Sequence, residues 1–215
     1  MKQGLTEMVF IMDRSGSMSG LEKDTIGGFN STIAKQRQEP GEAIVSTVLF
    51  DGDTEVLHDR VPIAEIPTLT DKEYYARGCT ALLDAVGSAI HHIGNVHKYA
   101  RDEDRPEKTI FVITTDGYEN SSHMYTARKV KEMVERQKSK YGWEFIFLGA
   151  NIDAVETARG FGISEECAAN FMCDEKGIAL CYEAQDAMMT NFRKGRKDCS
   201  WKTNIEADVK KRSRR

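Results

Sequence analysis

Three oxygen-bearing side chains follow an apolar run near the start of the chain, and together they could bind a metal ion. Asp13, Ser15 and Ser17 occupy every second position after the apolar residues 8–12. Gly16 lies among them and makes the backbone flexible enough to turn all three side chains into one small volume. Oxygen-only ligands suit a hard cation such as Mg²⁺, which keeps near-octahedral geometry and retains several waters.

Short strings of Asp, Ser and Gly are also common in turns, so the metal interpretation needs oxygens from other segments. The apolar run 109–114 predicts a buried strand that ends just before Asp116, and Thr80 directly precedes a predicted helix over 81–92. In a parallel sheet covered by helices, ligand sites lie beyond the carboxyl ends of the strands, where the strand order reverses. We therefore expect Thr80 and Asp116 at the same edge as the first three residues. A capped turn that leads into a helix is the alternative.

The elements that must position these residues alternate along the chain. Apolar and β-branched runs predict strands at 8–12, 43–50, 54–61, 109–114 and 143–149, and periodic apolar residues predict helices at 20–39, 81–92, 124–141, 153–160 and 178–192. This alternation favours an α/β fold with a mostly parallel sheet and helices on both faces. The short link at 51–53 predicts one antiparallel hairpin.

Composition is that of a soluble protein with a substantial core. The 215 residues fit one large α/β domain, and the chain is 40% hydrophobic and 30% charged. No apolar run approaches the roughly 20 residues that span a bilayer, and the first residues lack the features of a secretory signal. Five cysteines without close pairing predict free thiols in a reducing cytoplasm.

Charge is unevenly distributed. The chain has a formal net charge of −4, yet residues 193–215 carry ten Lys and Arg against three Asp and Glu. We therefore expect a domain over residues 1–195 and a basic, flexible C-terminal tail over residues 196–215. Such a tail could make weak contacts with nucleic acid or acidic lipid through phosphates, and a solvated terminus is the alternative.

In these motifs and their order the sequence resembles the von Willebrand factor A domain family and its metal-ion-dependent adhesion site. The family's D-x-S-x-S motif matches Asp13, Ser15 and Ser17, its loop threonine matches Thr80, and its T-D-G aspartate matches Asp116. The resemblance covers about residues 5–192 and implies a doubly wound, mostly parallel sheet with one antiparallel edge strand. Cys79 departs from the glycine that is common before the threonine. Without secretion features, the chain is more similar to the intracellular, largely microbial members.

The resemblance also implies a role for each residue. Ser15 and Ser17 would bind Mg²⁺ or Mn²⁺ directly through neutral hydroxyls, whereas Asp13 and Asp116 would act largely through water or by orienting hydroxyls. Thr80 would bind directly or through water. Because neutral ligands leave the ion incompletely neutralised, it would favour a carboxylate from an Asp or Glu of a partner protein. The function implied is a non-catalytic, metal-dependent protein-interaction module.

Two other functions stay open from the sequence. A nucleic-acid-associated adaptor would use the basic tail, and a metal-assisted phosphohydrolase would need a general base that no His or Glu clearly supplies. Asp84 could support the metal site, although an ordinary carboxylate on the helix surface is as good an interpretation. His91, His92 and His97 are expected to form a solvated cluster away from the site, and Cys173 is expected to fill the core.

Overall fold

The structure, a computed structural model, describes residues 1–196 and 199–213. Within this part of the chain six strands form one sheet and six α-helices surround it. The strands are β1 (Lys2–Asp13), β2 (Glu42–Phe50), β3 (Thr54–Pro62), β4 (Pro106–Thr115), β5 (Glu144–Gly149) and β6 (Ala168–Asn170). The helices are α1 (Glu22–Gln36), α2 (Leu82–Tyr99), α3 (Ala127–Tyr141), α4 (Ala154–Gly160), α5 (Glu175–Arg193) and α6 (Thr203–Arg212).

The strand order places β1 and β4 at the centre of the sheet. It runs β3-β2-β1-β4-β5-β6, with every neighbouring pair parallel except β2 and β3, which are antiparallel. The chain winds outward from β1 in both directions, so the strand order reverses between β1 and β4. The predicted fold class, a doubly wound α/β sheet with one antiparallel edge strand, is confirmed.

The central strand β1 is buried on both faces, because alternate side chains of a strand point in opposite directions. Met8 and Phe10 pack with residues of α1 and α5 on one face. Val9 and Ile11 pack with residues of α2, α3 and α4 on the other. This strand is therefore firmly positioned up to its carboxyl end, where the chain leaves the sheet.

The C-terminal segment is folded rather than flexible. Trp201 is 6% exposed and Ile205 is 1% exposed, and both belong to the core cluster on the face covered by α1 and α5. With the partly buried Val209 they form a stripe at intervals of four residues, which is one face of a helix. The prediction of a flexible tail is therefore wrong for residues 199–213, because three apolar side chains among the charges anchor the segment.

Ion pairs hold the end of this segment as well. The Arg212 guanidinium contacts the carboxylates of Asp174 and Asp208, and Lys176 also contacts Asp208. Residues 197–198 and 214–215 of the expected tail lie outside the described residues. No helix in the described part of the chain is long and apolar enough to cross a membrane.

Candidate metal centre

Asp13, the last residue of β1, accepts hydrogen bonds at both carboxylate oxygens and at its backbone carbonyl. It is 2% exposed. One carboxylate oxygen accepts the backbone N–H of Ser15 at 2.7 Å, and the other accepts the hydroxyl of Thr115 at 2.6 Å. The Tyr74 hydroxyl donates to the Asp13 carbonyl at 2.5 Å. The protein itself therefore orients this carboxylate at the turn that ends β1.

The hydroxyls of the two serines and the carboxylate of Asp116 form a continuous row. Ser15 Oγ lies 3.0 Å from Ser17 Oγ, and Ser17 Oγ donates to Asp116 Oδ1 at 2.5 Å. Ser17 and Asp116 are 99 residues apart in the chain and meet because β1 and β4 are neighbours. Ser15 and Asp116 are buried and Ser17 is exposed, so the row opens to the surface at Ser17.

Thr80 is brought to the same place by the loop that precedes α2. Its backbone N–H donates to the Asn120 side chain at 2.9 Å, and its carbonyl accepts the Asn120 backbone N–H at 3.0 Å. A Cβ placed on Gly117 would lie 3.7 Å from both Ser17 Oγ and Thr80 Oγ1, so these hydroxyls converge beside Gly117. The five side chains that gather here are named the rim cluster: Asp13, Ser15, Ser17, Thr80 and Asp116.

The rim cluster combines two buried carboxylates with three hydroxyls. Burial raises the pKa of the Asp13 carboxyl above its usual value, hydrogen bonds from Thr115 and Ser15 act in the opposite direction, and the negative charge of Asp116 raises it further. A cation placed here would offset both the burial and the repulsion. The donor set therefore fits a hard cation such as Mg²⁺ or Mn²⁺.

No group of three or more His, Cys, Asp or Glu side chains in the described part of the chain is placed to hold a metal ion. An ion at the rim would consequently depend on the hydroxyl oxygens as well as the carboxylates. The structure brings together every residue that the sequence predicted for this site. Their assignment as ligands stays a prediction.

A second charged cluster adjoins the rim and was not foreseen from the sequence. Arg14 lies between two rim residues in the chain and is 1% exposed. Its guanidinium contacts Asp51 at 2.9 Å and Glu55 at 2.8 Å. Arg77 contacts the same Asp51 oxygen at 2.8 Å, and both arginines lie against the ring of Tyr75. The charges in this cluster are therefore paired within the protein.

Asp51 links this second cluster to the loop that carries Thr80. Burial alone would raise the pKa of the Asp51 carboxyl, but hydrogen bonds from Arg77, the Asp53 backbone and Arg14 outweigh burial, and the pKa lies below its usual value. The Asp51 carbonyl accepts the backbone N–H of Ala81 at 2.7 Å. The sequence had indicated only a hairpin turn here. An arginine within a D-x-S-x-S motif was the available signal, but it does not identify the partner.

Asp84 supports the loop after β4 rather than the helix surface. It is 6% exposed, and its carboxylate accepts the backbone N–H groups of His123, Met124 and Tyr125 at 2.7, 2.9 and 2.8 Å. The interpretation as an ordinary surface carboxylate is therefore wrong. Asp84 acts on the rim only indirectly, by fixing the loop that begins at Asp116.

Glu119 has a similar role in the same loop. Its carboxylate accepts the backbone N–H groups of Leu83, Ser121 and Ser122 at 2.7–2.9 Å, and the Ser122 hydroxyl at 2.7 Å. All of its acceptor capacity is directed at the protein. Glu119 is consequently a structural brace and not a free carboxylate beside the rim.

Cys173 packs, partly buried, against the core as the sequence predicted, and it also lies at the rim. Its thiol is 3.6 Å from Asp116 Oδ2, whereas Ser17 donates to Oδ1 of the same carboxylate. Burial is the main cause that raises the pKa of this thiol to about 11, and the charge of Asp116 adds to it. Cys173 therefore stays a neutral thiol that donates to Asp116.

The histidines of α2 do not form one solvated cluster. His91 and His92 are exposed, but His97 is buried and hydrogen-bonded to the buried Glu7 carboxylate. Arg60 Nε contacts the other oxygen of Glu7 at 2.7 Å. The expectation is therefore wrong for His97, because a carboxylate in the middle of β1 provides a buried partner for it.

Comparisons with known proteins find relatives by structure alone. No protein-family model matches the chain, and no curated protein matches it. Proximal thread matrix protein 1 from the mussel byssus is similar, with a TM-score of 0.60 and 15% identity over 87% of this chain and 46% of that one. Its form with a zinc-occupied MIDAS motif has a TM-score of 0.57, with the same identity and coverage.

Two further structures are similar over most of this chain. A von Willebrand factor type A protein from Catenulispora acidiphila has a TM-score of 0.54 and 15% identity, over 87% of this chain and 42% of that one. Manganese-loaded TRAP from Plasmodium vivax has a TM-score of 0.55 and 13% identity, over 84% of this chain and 73% of that one. This chain spans less than half the length of the mussel protein and of the Catenulispora protein. At these identities the comparisons establish the fold.

Proposed function

We propose that this chain, which has the fold of a von Willebrand factor A domain, is a non-catalytic interaction module that holds Mg²⁺ or Mn²⁺ at the rim cluster. The observation that carries the proposal is the row of oxygens from Ser15 through Ser17 to Asp116, with the Thr80 hydroxyl beside it. A bound ion would supply an incompletely neutralised positive charge, which attracts a carboxylate from an Asp or Glu of a partner. Similar structures with zinc or manganese support a cation at this place.

The hydrogen bonds indicate different roles for the residues of the rim cluster. Both carboxylate oxygens of Asp13 already accept donors from the protein, so Asp13 orients the turn and contributes negative charge. Asp116 likewise accepts from Ser17 and from Cys173. The serine and threonine hydroxyls, which can rotate, are the oxygens best able to turn toward an ion. The exposed position of Ser17 lets a partner reach it.

The surroundings favour binding over hydrolysis. A metal-assisted hydrolase needs a general base within hydrogen-bonding reach of the attacking water. The carboxylate of Glu119, three residues after Asp116, already accepts four hydrogen bonds from the protein. Arg14 and Arg77 are paired with Asp51 and are not free to stabilise a developing negative charge. We therefore do not favour a phosphohydrolase.

Several of the basic C-terminal residues are engaged within the protein, which weakens the nucleic-acid alternative. The Arg193 guanidinium donates to the carbonyls of Gln36 at 2.6 Å and Gly41 at 2.9 Å. Lys202 pairs with Glu206 at 3.0 Å. These cations stabilise the junction between helices, so fewer remain for phosphate groups.

Metal binding is tested first, because it needs no partner. We expect Mn²⁺ to bind the wild-type chain at one saturable site, as measured by electron paramagnetic resonance. Mg²⁺ should compete for the same site. Ser17→Ala should weaken binding about tenfold or more, since it removes one candidate ligand. Ser19→Ala is the matched control, because Ser19 is exposed and lies outside the rim cluster. Equal affinity in the wild-type and Ser17→Ala proteins would contradict the proposal.

Partner binding is tested by recovery of interacting proteins on the immobilised chain. We expect specific proteins to be retained in Mg²⁺ and released by EDTA, and the same proteins to be absent from the Asp13→Ala sample. The Ser19→Ala protein should retain them. Recovery that is indifferent to both EDTA and Asp13→Ala would show that the rim does not mediate adhesion.

A further inference from the structure

A groove between α2 and α3 is positively charged, although the whole chain has a net charge of −4. It encloses about 550 Å³, which is within the range of small-molecule sites. Its lining includes Lys98, Arg105, Lys129 and Arg136 and contains no Asp or Glu. A cleft lined by one sign of charge attracts ligands of the opposite sign. The groove shares no residue with the rim cluster.

Two of these cations are not neutralised by carboxylates. Arg105 lies 3.3 Å from Asp102, and Lys129 lies 4.0 Å from Glu132. Among the described residues, no carboxylate oxygen lies within 4.0 Å of the side-chain nitrogens of Lys98 or Arg136. Both side chains are exposed. Lys98 Nζ lies 5.0 Å from the centroid of the Tyr99 ring, which does not neutralise it. Two positive charges without a carboxylate partner therefore remain at the groove, and they match the charge of about −1.5 to −2 on a phosphate monoester.

Aromatic and apolar side chains form the rest of the groove. Trp143 is one of the lining residues, is 3% exposed and is stacked on Phe111, with the ring centroids 5.2 Å apart. Tyr125, Met133 and Tyr141 line the walls. These groups offer surface to a flat ring, whereas a bare phosphate ion would leave most of the volume unfilled.

The wall on the side of Tyr125 is fixed in place. A Cβ on Gly87 would lie 2.4 Å from Tyr125 Cγ, so the ring packs directly on the α2 backbone at that glycine. Gly94, one turn from the middle of α2, similarly lets Gln137 of α3 approach, since a Cβ there would lie 3.3 Å from Gln137 Nε2. These close contacts fix the spacing of the two helices beside the groove, and a preformed site reduces the entropy lost on binding.

We propose that the groove between α2 and α3 binds a nucleoside monophosphate. Its phosphate is attracted by Lys98 and Arg136, and its base packs against the apolar and aromatic wall that includes Tyr125 and Met133. The size of the groove, its unpaired positive charge and its aromatic lining all fit this class of ligand. The site does not depend on the metal-binding function of the rim.

The test is isothermal titration of 5′-AMP into the full chain in EDTA, so that a metal ion at the rim cannot bind the phosphate. Adenosine and inorganic phosphate are titrated in parallel. We expect saturable binding of one AMP per chain and binding at least about tenfold weaker for each of the two fragments. The absence of saturable AMP binding at millimolar concentration would overturn the proposal. Adenosine or phosphate binding as tightly as AMP would overturn it as well.

Variants locate the bound nucleotide. Lys98→Gln and Arg136→Gln should each weaken AMP binding about tenfold, the typical effect of losing one charge-assisted contact. Arg128→Gln is the matched control, because Arg128 lies on the same helix as Arg136, is 90% exposed and does not line the groove. AMP binding that is unchanged in both groove variants, or reduced equally in the control, would place the nucleotide elsewhere.

Discussion

Two neighbouring clusters at the carboxyl edge of the sheet differ in whether their buried carboxylates are paired with positive charges. In the rim cluster, Asp13 and Asp116 are buried close together with hydroxyls as partners, and burial and repulsion raise the pKa of Asp13. In the adjacent cluster, Asp51 is buried against two arginines, and its pKa is lowered. In the second cluster the protein itself supplies the positive charges that pair with the carboxylate. The first has negative charge left over, which is the condition that favours a cation from outside.

The largest effect is expected from breaking the paired cluster. Arg14→Ala should lower the free energy of unfolding by roughly 3 kcal/mol or more, because it leaves Asp51 with less compensation and opens a cavity. Urea denaturation measures the change. Arg77→Ala removes the other partner of the same carboxylate, but its side chain is 46% exposed, so the loss should be clearly smaller. Equal losses of unfolding free energy in Arg14→Ala and Arg77→Ala would contradict the expectation that the buried partner contributes more than the exposed one.

A metal ion should have a comparable effect on the rim cluster. Mg²⁺ at 100 times its dissociation constant is expected to stabilise the wild-type chain by about 2.7 kcal/mol, seen as a rise in the thermal midpoint that EDTA abolishes. In Asp116→Asn the metal-free midpoint should rise, since the variant removes one of two repelling charges, and the Mg²⁺ shift should shrink. A lower metal-free midpoint in Asp116→Asn would contradict leftover negative charge at the rim.

The smallest expected effects are on the pH dependence of the free energy of unfolding. The contributions of Asp51 and Asp13 to it should have opposite signs. The pKa of Asp51 is lower when folded, so its stabilisation is present above its ordinary value of 3.8 and is lost as the pH falls through the lowered value. Asp51→Asn should therefore destabilise the chain at neutral pH and progressively less below that range. Unfolding free energies measured across acidic pH in both proteins test this.

For Asp13 the sign is reversed. Its pKa is raised on folding, so the ionised carboxylate costs stability at neutral pH, and this cost decreases as the pH falls below the raised value and is gone below the ordinary value of 3.8. Without metal, Asp13→Asn should be more stable than wild type at neutral pH, and the difference should vanish in acid. A difference that persists in acid would mean that the substitution acts through packing.

The rim cluster was predictable because its positions follow from strand ends. Apolar runs identify where β1 and β4 stop, and the carboxyl ends of neighbouring parallel strands meet at one edge. Asp13 and Asp116 could therefore be placed together from the sequence, and Thr80 followed from its position before a helix. The hydrogen bonds among them could not be predicted, since they depend on rotamers that neighbouring side chains impose.

The adjacent cluster and the C-terminal segment show where sequence analysis failed. Arg14 and Asp51 are 37 residues apart, and nothing in either segment specifies the other as its partner. In the C-terminal segment the count of basic residues suggested a solvated tail, while Trp201 and Ile205 were enough to anchor it. A charge count records what a segment carries. It does not record which face of a helix those charges occupy.

The sequence by itself determined the order of strands and helices, the fold class and the residues that end β1 and β4, because these depend on local periodicity and on side chains close together in the chain. Only the tertiary structure decided which buried charges are paired. Pairing depends on contacts such as that between Ser17 and Asp116, 99 residues apart, and Coulomb energies depend on the distance and burial that the fold creates.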